Sequence, residues 1–291
     1  MSAALARLTS LLRVEERLLE ANYFARLMRR QSGAEEFGYC LNAFVSAARS
    51  VSFLIQKEMS KVPGFDVWWS GQQQLLGQDR AARFFLKLRN YSQKEGRISL
   101  AGTRIGFGNR RRWTYRFAGT ADSVPPELLQ RDVTDCCMEH VSKLARVVLA
   151  CTQQFPFHTC PRQAITPDGM EALQLSMVDL GSALGLPSGW VEAGQVIPLE
   201  PQLRLLREHV DGLDFDALKR LARRKARKPL ATPGSHTALG GELLTHLVAQ
   251  LEGARQKVDA PTLIGEMMLR GMVARGGFAP GSASDTEPNS S

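Results

Sequence analysis

The chain has 291 residues, 44% of them hydrophobic and 23% charged, the make-up of a globular protein rather than a disordered one. No uninterrupted apolar run approaches the ~18–20 residues of a membrane-spanning helix, and Arg7, Arg13, Glu15, Glu16 and Arg17 break up any signal-peptide core. Five cysteines without a CxxC pair fit a reducing cytoplasm, and a net charge of +8 favours a polyanionic partner such as nucleic acid.

Apolar residues at helical spacing, from Leu5 and Leu8 to Tyr23 and Leu27, predict a first helix over about Ser2–Gln31, ended by Ser32-Gly33. A second helix is expected over about Ala34–Ser60, carrying Phe37, Leu41, Phe44, Val45, Val51 and Ile55, with Pro63-Gly64 as punctuation. A third runs over about Asp66–Ser92. Long helices with short joints predict an antiparallel bundle. Between Arg97 and Phe117 the pattern becomes that of a β-hairpin turning at Gly108-Asn109, with Trp113, Tyr115 and Phe117 on one face and Arg112, Thr114 and Arg116 on the other. Pro125-Pro126 opens a fourth long helix reaching about Phe155.

Prolines 156, 161 and 167 mark a linker. Shorter helices follow at about Asp168–Leu184, Glu200–Val210, Phe215–Lys228, Ala238–Lys257 and Pro261–Arg275. From Gly276 the composition is small and polar, read as a disordered tail. The expected architecture is therefore mainly α. Residues 1–155 form a helical bundle with a hairpin at about 97–118, 156–167 a linker, 168–275 a helical C-terminal region, and 276–291 a tail.

The segment richest in chemistry ends the third helix: Phe84-Phe85-Leu86-Lys87-Leu88-Arg89-Asn90-Tyr91-Ser92-Gln93-Lys94. It resembles the signature of the HEPN superfamily, an arginine commonly followed by asparagine and then, about four to six residues on, a histidine. The stretches Phe44–Val51 and Gly64–Trp69 resemble bacterial members of the same group, and the likeness covers about residues 1–155. It implies an up-and-down bundle, a homodimer with the motifs facing a shared cleft, and, in active members, a metal-independent ribonuclease that needs no cofactor. Cleavage through a 2′-hydroxyl needs a group that exchanges protons near neutral pH, the role of a histidine with pKa ~6.5, and a cation for the phosphate, the role of arginine.

Arg89 and Asn90 match that pattern, and Lys94 stands where the histidine belongs. An ordinary lysine, with pKa ~10.4, stays protonated at neutral pH and cannot act as a base. Loss of a positioned acid–base group typically costs ~10²–10⁴ in rate. The expectation is thus a degenerate site that binds anions, in an RNA-binding or interaction module. Two alternatives stand beside it: an active endoribonuclease of toxin or phage-defence type, using Lys94 or a histidine such as His140, and a partner protein regulating a nuclease.

Two basic segments support a nucleic-acid partner. The hairpin interleaves Arg97, Arg104, Arg110, Arg111, Arg112 and Arg116 with Trp113 and Tyr115, a pattern that suits phosphate and unpaired bases but equally a hairpin packed by its aromatics. Lys219, Arg220, Arg223, Arg224, Lys225, Arg227 and Lys228 form a basic amphipathic run. Cys136 and His140, four apart, sit on an apolar helix stripe and read as core positions rather than metal ligands. Met267, Met268 and Met272 read as core or as a face for a protein partner. There is no P-loop and no Gly-x-Ser-x-Gly elbow.

Overall fold

The computed structural model describes residues 8–224 except 95, 97, 106–111, 120–122, 188, 195 and 196, and except the side chains of 104, 105, 112, 192 and 193. The expected hairpin turn at Gly108-Asn109, the helices expected at 238–257 and 261–275, and the tail lie outside these residues.

Among the described residues the chain is mainly helical with one small hairpin, as its periodicities predict. α1 (Leu12–Met28) leaves out residues 8–11 of the expected helix and begins where the Ser10 hydroxyl accepts from the Leu12 N–H at 3.1 Å. α2 (Ala34–Met59) buries Phe37, Leu41, Phe44, Val45, Ala48, Val51, Ile55 and Met59 at intervals of three and four, a complete apolar stripe. Each such large side chain contributes about 1.5–3 kcal/mol on burial, whereas a surface ion pair contributes at most ~1 kcal/mol. Packing of α2 therefore dominates the stability. Among the described helices α2 also has the length and hydropathy of a membrane-crossing segment, an average of 1.2 over 18 residues, although no uninterrupted apolar run signals it. Its apolar side is buried in the bundle instead.

The single third helix expected from the sequence is two: α3 (Phe65–Gln78) and α4 (Arg80–Lys94). Asp79 between them is extended, with ψ 108°, because its carboxylate caps the second helix. Oδ1 accepts from the Ala82 N–H at 3.0 Å, and Oδ2 pairs with Lys143 Nζ at 2.5 Å. Opposing its own burial, these contacts hold the Asp79 carboxyl below its usual range.

β1 (Leu100–Ile105) and β2 (Arg112–Phe117) pair antiparallel, with Leu100 opposite Phe117 and Arg104 opposite Trp113. The hairpin lies on the bundle through Tyr115 and Phe117, both buried. Their ring centroids are 4.2 Å from Phe37 and 4.9 Å from Phe84 respectively, and Tyr115 Oη donates to the Ser32 carbonyl at 3.1 Å. Trp113, nearer the turn, is 45% exposed.

The fourth long helix is interrupted as well. α5 (Pro126–Leu129) is one turn, and α6 (Val133–Gln154) restarts at Asp132, whose carboxylate accepts from the Thr134 and Asp135 N–H groups at 2.8 and 3.4 Å. α6 completes the bundle with α1 and α2.

The stretch expected as a linker forms two single-turn helices, α7 (Pro156–Thr159) and α8 (Pro161–Ala164), each with proline at its first position. It is bound to the start of the bundle by the Leu11 N–H, which donates to the Thr159 carbonyl at 2.9 Å. The helix expected over 168–184 is divided into α9 (Pro167–Leu173) and α10 (Met177–Leu184) by Gln174 in the left-handed region and by a capping box of Ser176 with Asp179. α11 (Trp190–Gly194) and α12 (Leu199–Glu208) follow, and Ile165, Met170, Leu175, Leu180 and Leu203 make a small second core. α13 (Phe215–Ala222) then returns to the main core with Leu218 and Leu221. Its return is fixed by the buried Glu15, which accepts from the Asp214 N–H at 2.8 Å, and by the Ser142 hydroxyl, 2.9 Å from the Ala222 carbonyl.

Two glycines should respond in opposite directions to gaining a methyl group. A Cβ on buried Gly169 would meet the Ala164 and Gln163 carbonyl oxygens at 2.5 and 2.6 Å, so Gly169→Ala should lower stability by about 2 kcal/mol. Gly71 on α3 has open space around it, and Gly71→Ala should raise stability by about 0.5–1 kcal/mol. Urea unfolding of both variants checks this, and a neutral Gly169→Ala would contradict the close packing of α8 on α9.

Candidate nucleic-acid interface

The stripe of α2 opposite its core face carries Ser46, Arg49, Ser50 and Phe53, spaced so that they share one side of the helix. Arg89 and Gln93, one turn apart on α4, complete a depression with these four. A neighbouring depression, lined by Arg13, Glu16, Arg17 and Leu54, shares Ser50 and Phe53 with the first, so a furrow crosses α1, α2 and α4.

The cations of this furrow differ in how they are neutralised. Arg13 approaches Glu58 at 3.8 Å, and Arg17 pairs with Glu20 one turn along α1. Arg49 and Arg89 have no carboxylate partner among the described residues. Arg49 Nη1 donates to Ser52 Oγ at 2.8 Å, and Arg89 Nη1 lies 3.4 Å from Asn90 Oδ1, so both guanidinium groups keep donors for an incoming anion. Phe53, between the two pairs, is 57% exposed, a large apolar ring left in water.

The sequence motif is thus only partly brought together. Arg89 lines the furrow, whereas Asn90 and Lys94 are exposed and are not among its lining residues. No histidine among the described residues lines it either. His140, the alternative proton carrier, is buried on α6 with its ring stacked 4.4 Å from Phe85. Burial, together with the charge of Lys143, lowers its pKa to about 4 against the opposing pull of Asp79, so at neutral pH it is uncharged.

The two basic segments stand apart from this furrow. Tyr115 is buried by the bundle and cannot stack on a base. Arg116 donates to Gln130 Oε1 at 3.1 Å, and Trp113 keeps an exposed face. Arg97, Arg110 and Arg111 lie outside the described residues, as do the side chains of Arg104 and Arg112. Lys219 and Arg220 on α13 and Arg223 just after it are exposed, with Arg220 3.9 Å from Asp214. Arg224 is drawn inward, donating to Asn22 Oδ1 at 2.7 Å, and its burial beside Arg26 and Arg29 lowers its pKa. Lys225, Arg227 and Lys228 are outside the described residues.

Arg49 and Phe53 carry most of the furrow, yet no motif singles them out. Their signal is the outward stripe of Ser46, Arg49, Ser50 and Phe53, on the side of α2 away from its apolar positions.

Residues 9–104 match the family model of bacteriophage lambda protein ea47. The match takes in α1 to α4 and most of β1, and every residue named above as lining the furrow. No curated protein and no solved structure matches the chain significantly.

The burial of His140 has a consequence for stability. The unfolded chain takes up its proton near pH 6.5 and the folded chain only near 4. This residue's contribution is therefore intact above about pH 6.5 and is lost as pH falls toward 4, by ~3 kcal/mol in total. An NMR titration of the His140 ring should place its midpoint well below that of an exposed histidine, and a midpoint near 6.5 would refute the burial.

Proposed function

We propose that this chain is an RNA-binding module built on a HEPN-like bundle, in which Arg49 and Arg89 hold backbone phosphate, Phe53 stacks on an unpaired base, and catalysis is lost. The observation that carries this reading is the furrow itself. Two guanidinium groups without carboxylate partners among the described residues and an exposed aromatic ring share one depression, the combination that a single strand recognises through its phosphates and base faces. Arginine, with its fork of donors, grips phosphate in two places at once.

What is missing from the furrow argues for binding without cleavage. The proton carrier that the resemblance requires is replaced by Lys94, which stands outside the furrow, and His140 is enclosed among aromatic rings. The match of residues 9–104 to a phage protein family fits a setting in which phage and bacterial host meet. The same reading carries a cytoplasmic homodimer through the bundle, whose mass sedimentation would give.

The test is gel-shift binding of an unstructured RNA together with incubation of that RNA in EDTA. Wild type should bind without cutting. Arg49→Ala and Arg89→Ala should each weaken binding several-fold to about tenfold and reduce the slope of affinity against salt by about one. Cleavage by wild type that disappears in Arg89→Ala would establish a ribonuclease instead, and binding that ignores both arginine variants would remove the furrow from the account.

A further inference from the structure

A cavity of about 270 Å³ opens between α2, α3, α4 and α6. Its walls are mostly apolar: Val45, Ala48, Trp69, Phe85 and Leu144 are all buried there, and His140 is buried among them. Arg49 and Arg83, both exposed, line it at the solvent side. Protein interiors contain few voids larger than a water molecule. An apolar pocket approaching the ~300 Å³ at which small-molecule sites begin, with a few polar groups converging on it, is the form such sites take.

Two observations define the chemistry of an occupant. First, Trp69 and His140 both line this cavity, but Trp69 Nε1 and His140 Nδ1 are sealed from solvent, so they add no polar group to its wall and an occupant meets the rings themselves. Second, Arg83, like Arg49, has no carboxylate partner among the described residues, which leaves two guanidinium groups beside an apolar space. Apolar walls favour an apolar body, and a pair of guanidinium groups favours a carboxylate over a neutral head.

We propose that this cavity binds a small amphipathic carboxylate, its flat apolar body against Trp69, Phe85 and His140 and its carboxylate held by Arg49 and Arg83. The site goes beyond the RNA reading and does not rest on it, because Arg83 and His140 take no part in the furrow. Arg49 alone belongs to both.

Naphthalene-2-carboxylate is a suitable probe, titrated into the full chain by calorimetry and followed at the ring nitrogen resonances of His140. Saturable one-to-one binding that moves those resonances is expected. Arg83→Gln, a change at an exposed position, should weaken it about tenfold. The uncharged naphthalene-2-carboxamide should bind wild type and Arg83→Gln alike. Failure to saturate at millimolar probe, His140 resonances that stay in place, or equal affinity of both proteins for the carboxylate would each overturn the proposal.

Discussion

Burial of one side of α2 is the constraint to which the other elements answer. Its apolar positions from Phe37 to Met59 need cover along almost the whole helix, and α1, α4 and α6 supply it. The hairpin extends that cover at one end through Tyr115 against Phe37. With one side committed, the remaining stripe of α2 must face outward, and it is this stripe that carries Ser46, Arg49, Ser50 and Phe53. Core and candidate interface are two faces of one helix. A substitution that rotated or bent α2 would disturb both together.

Helix α4 repeats this division on a smaller scale. Phe85 and Leu88 point into the core while Arg89 and Gln93 border the furrow and Arg83 borders the cavity. α4 begins after Asp79, whose carboxylate is held by the Ala82 N–H on one side and by Lys143 of α6 on the other, and burial of Ala81, Ala82, Phe85 and Leu88 decides which of its residues reach the solvent.

Much of this was legible in the sequence because the signals were strong and local. The 3.6-residue periodicity of α2 and the alternation around Trp113–Phe117 correspond to elements of the fold, whereas prolines 156 and 161, read as a linker, start the single-turn helices α7 and α8. The breaks were harder to read. Asp79, Asp132 and Ser176 are ordinary capping residues inside apolar patterns that otherwise run on, so periodicity joined what capping divides. The resemblance to a motif drew attention to Arg89, Asn90 and Lys94, adjacent in sequence, whereas the furrow joins Arg89 to Arg49, forty residues away. Aromatic residues in a strand cannot be assigned to a base or to a core from one sequence. Tyr115 and Phe117 proved to serve the core, and Trp113 keeps an open face.

The place of α6 has an implication for modularity. The segment that matches the phage family ends at residue 104, yet the buried wall formed by Val133, Cys137, Val141, Ala145 and Val148 comes afterwards. The stretch of sequence shared with that family and the unit that closes a core are therefore not the same length. A polypeptide ending near residue 104 would present the uncovered flanks of α1 and α2 to water, an adhesive surface that invites a second chain. In this protein the wall is supplied from within, and the self-sufficiency of the bundle depends on a helix that lies outside the shared segment.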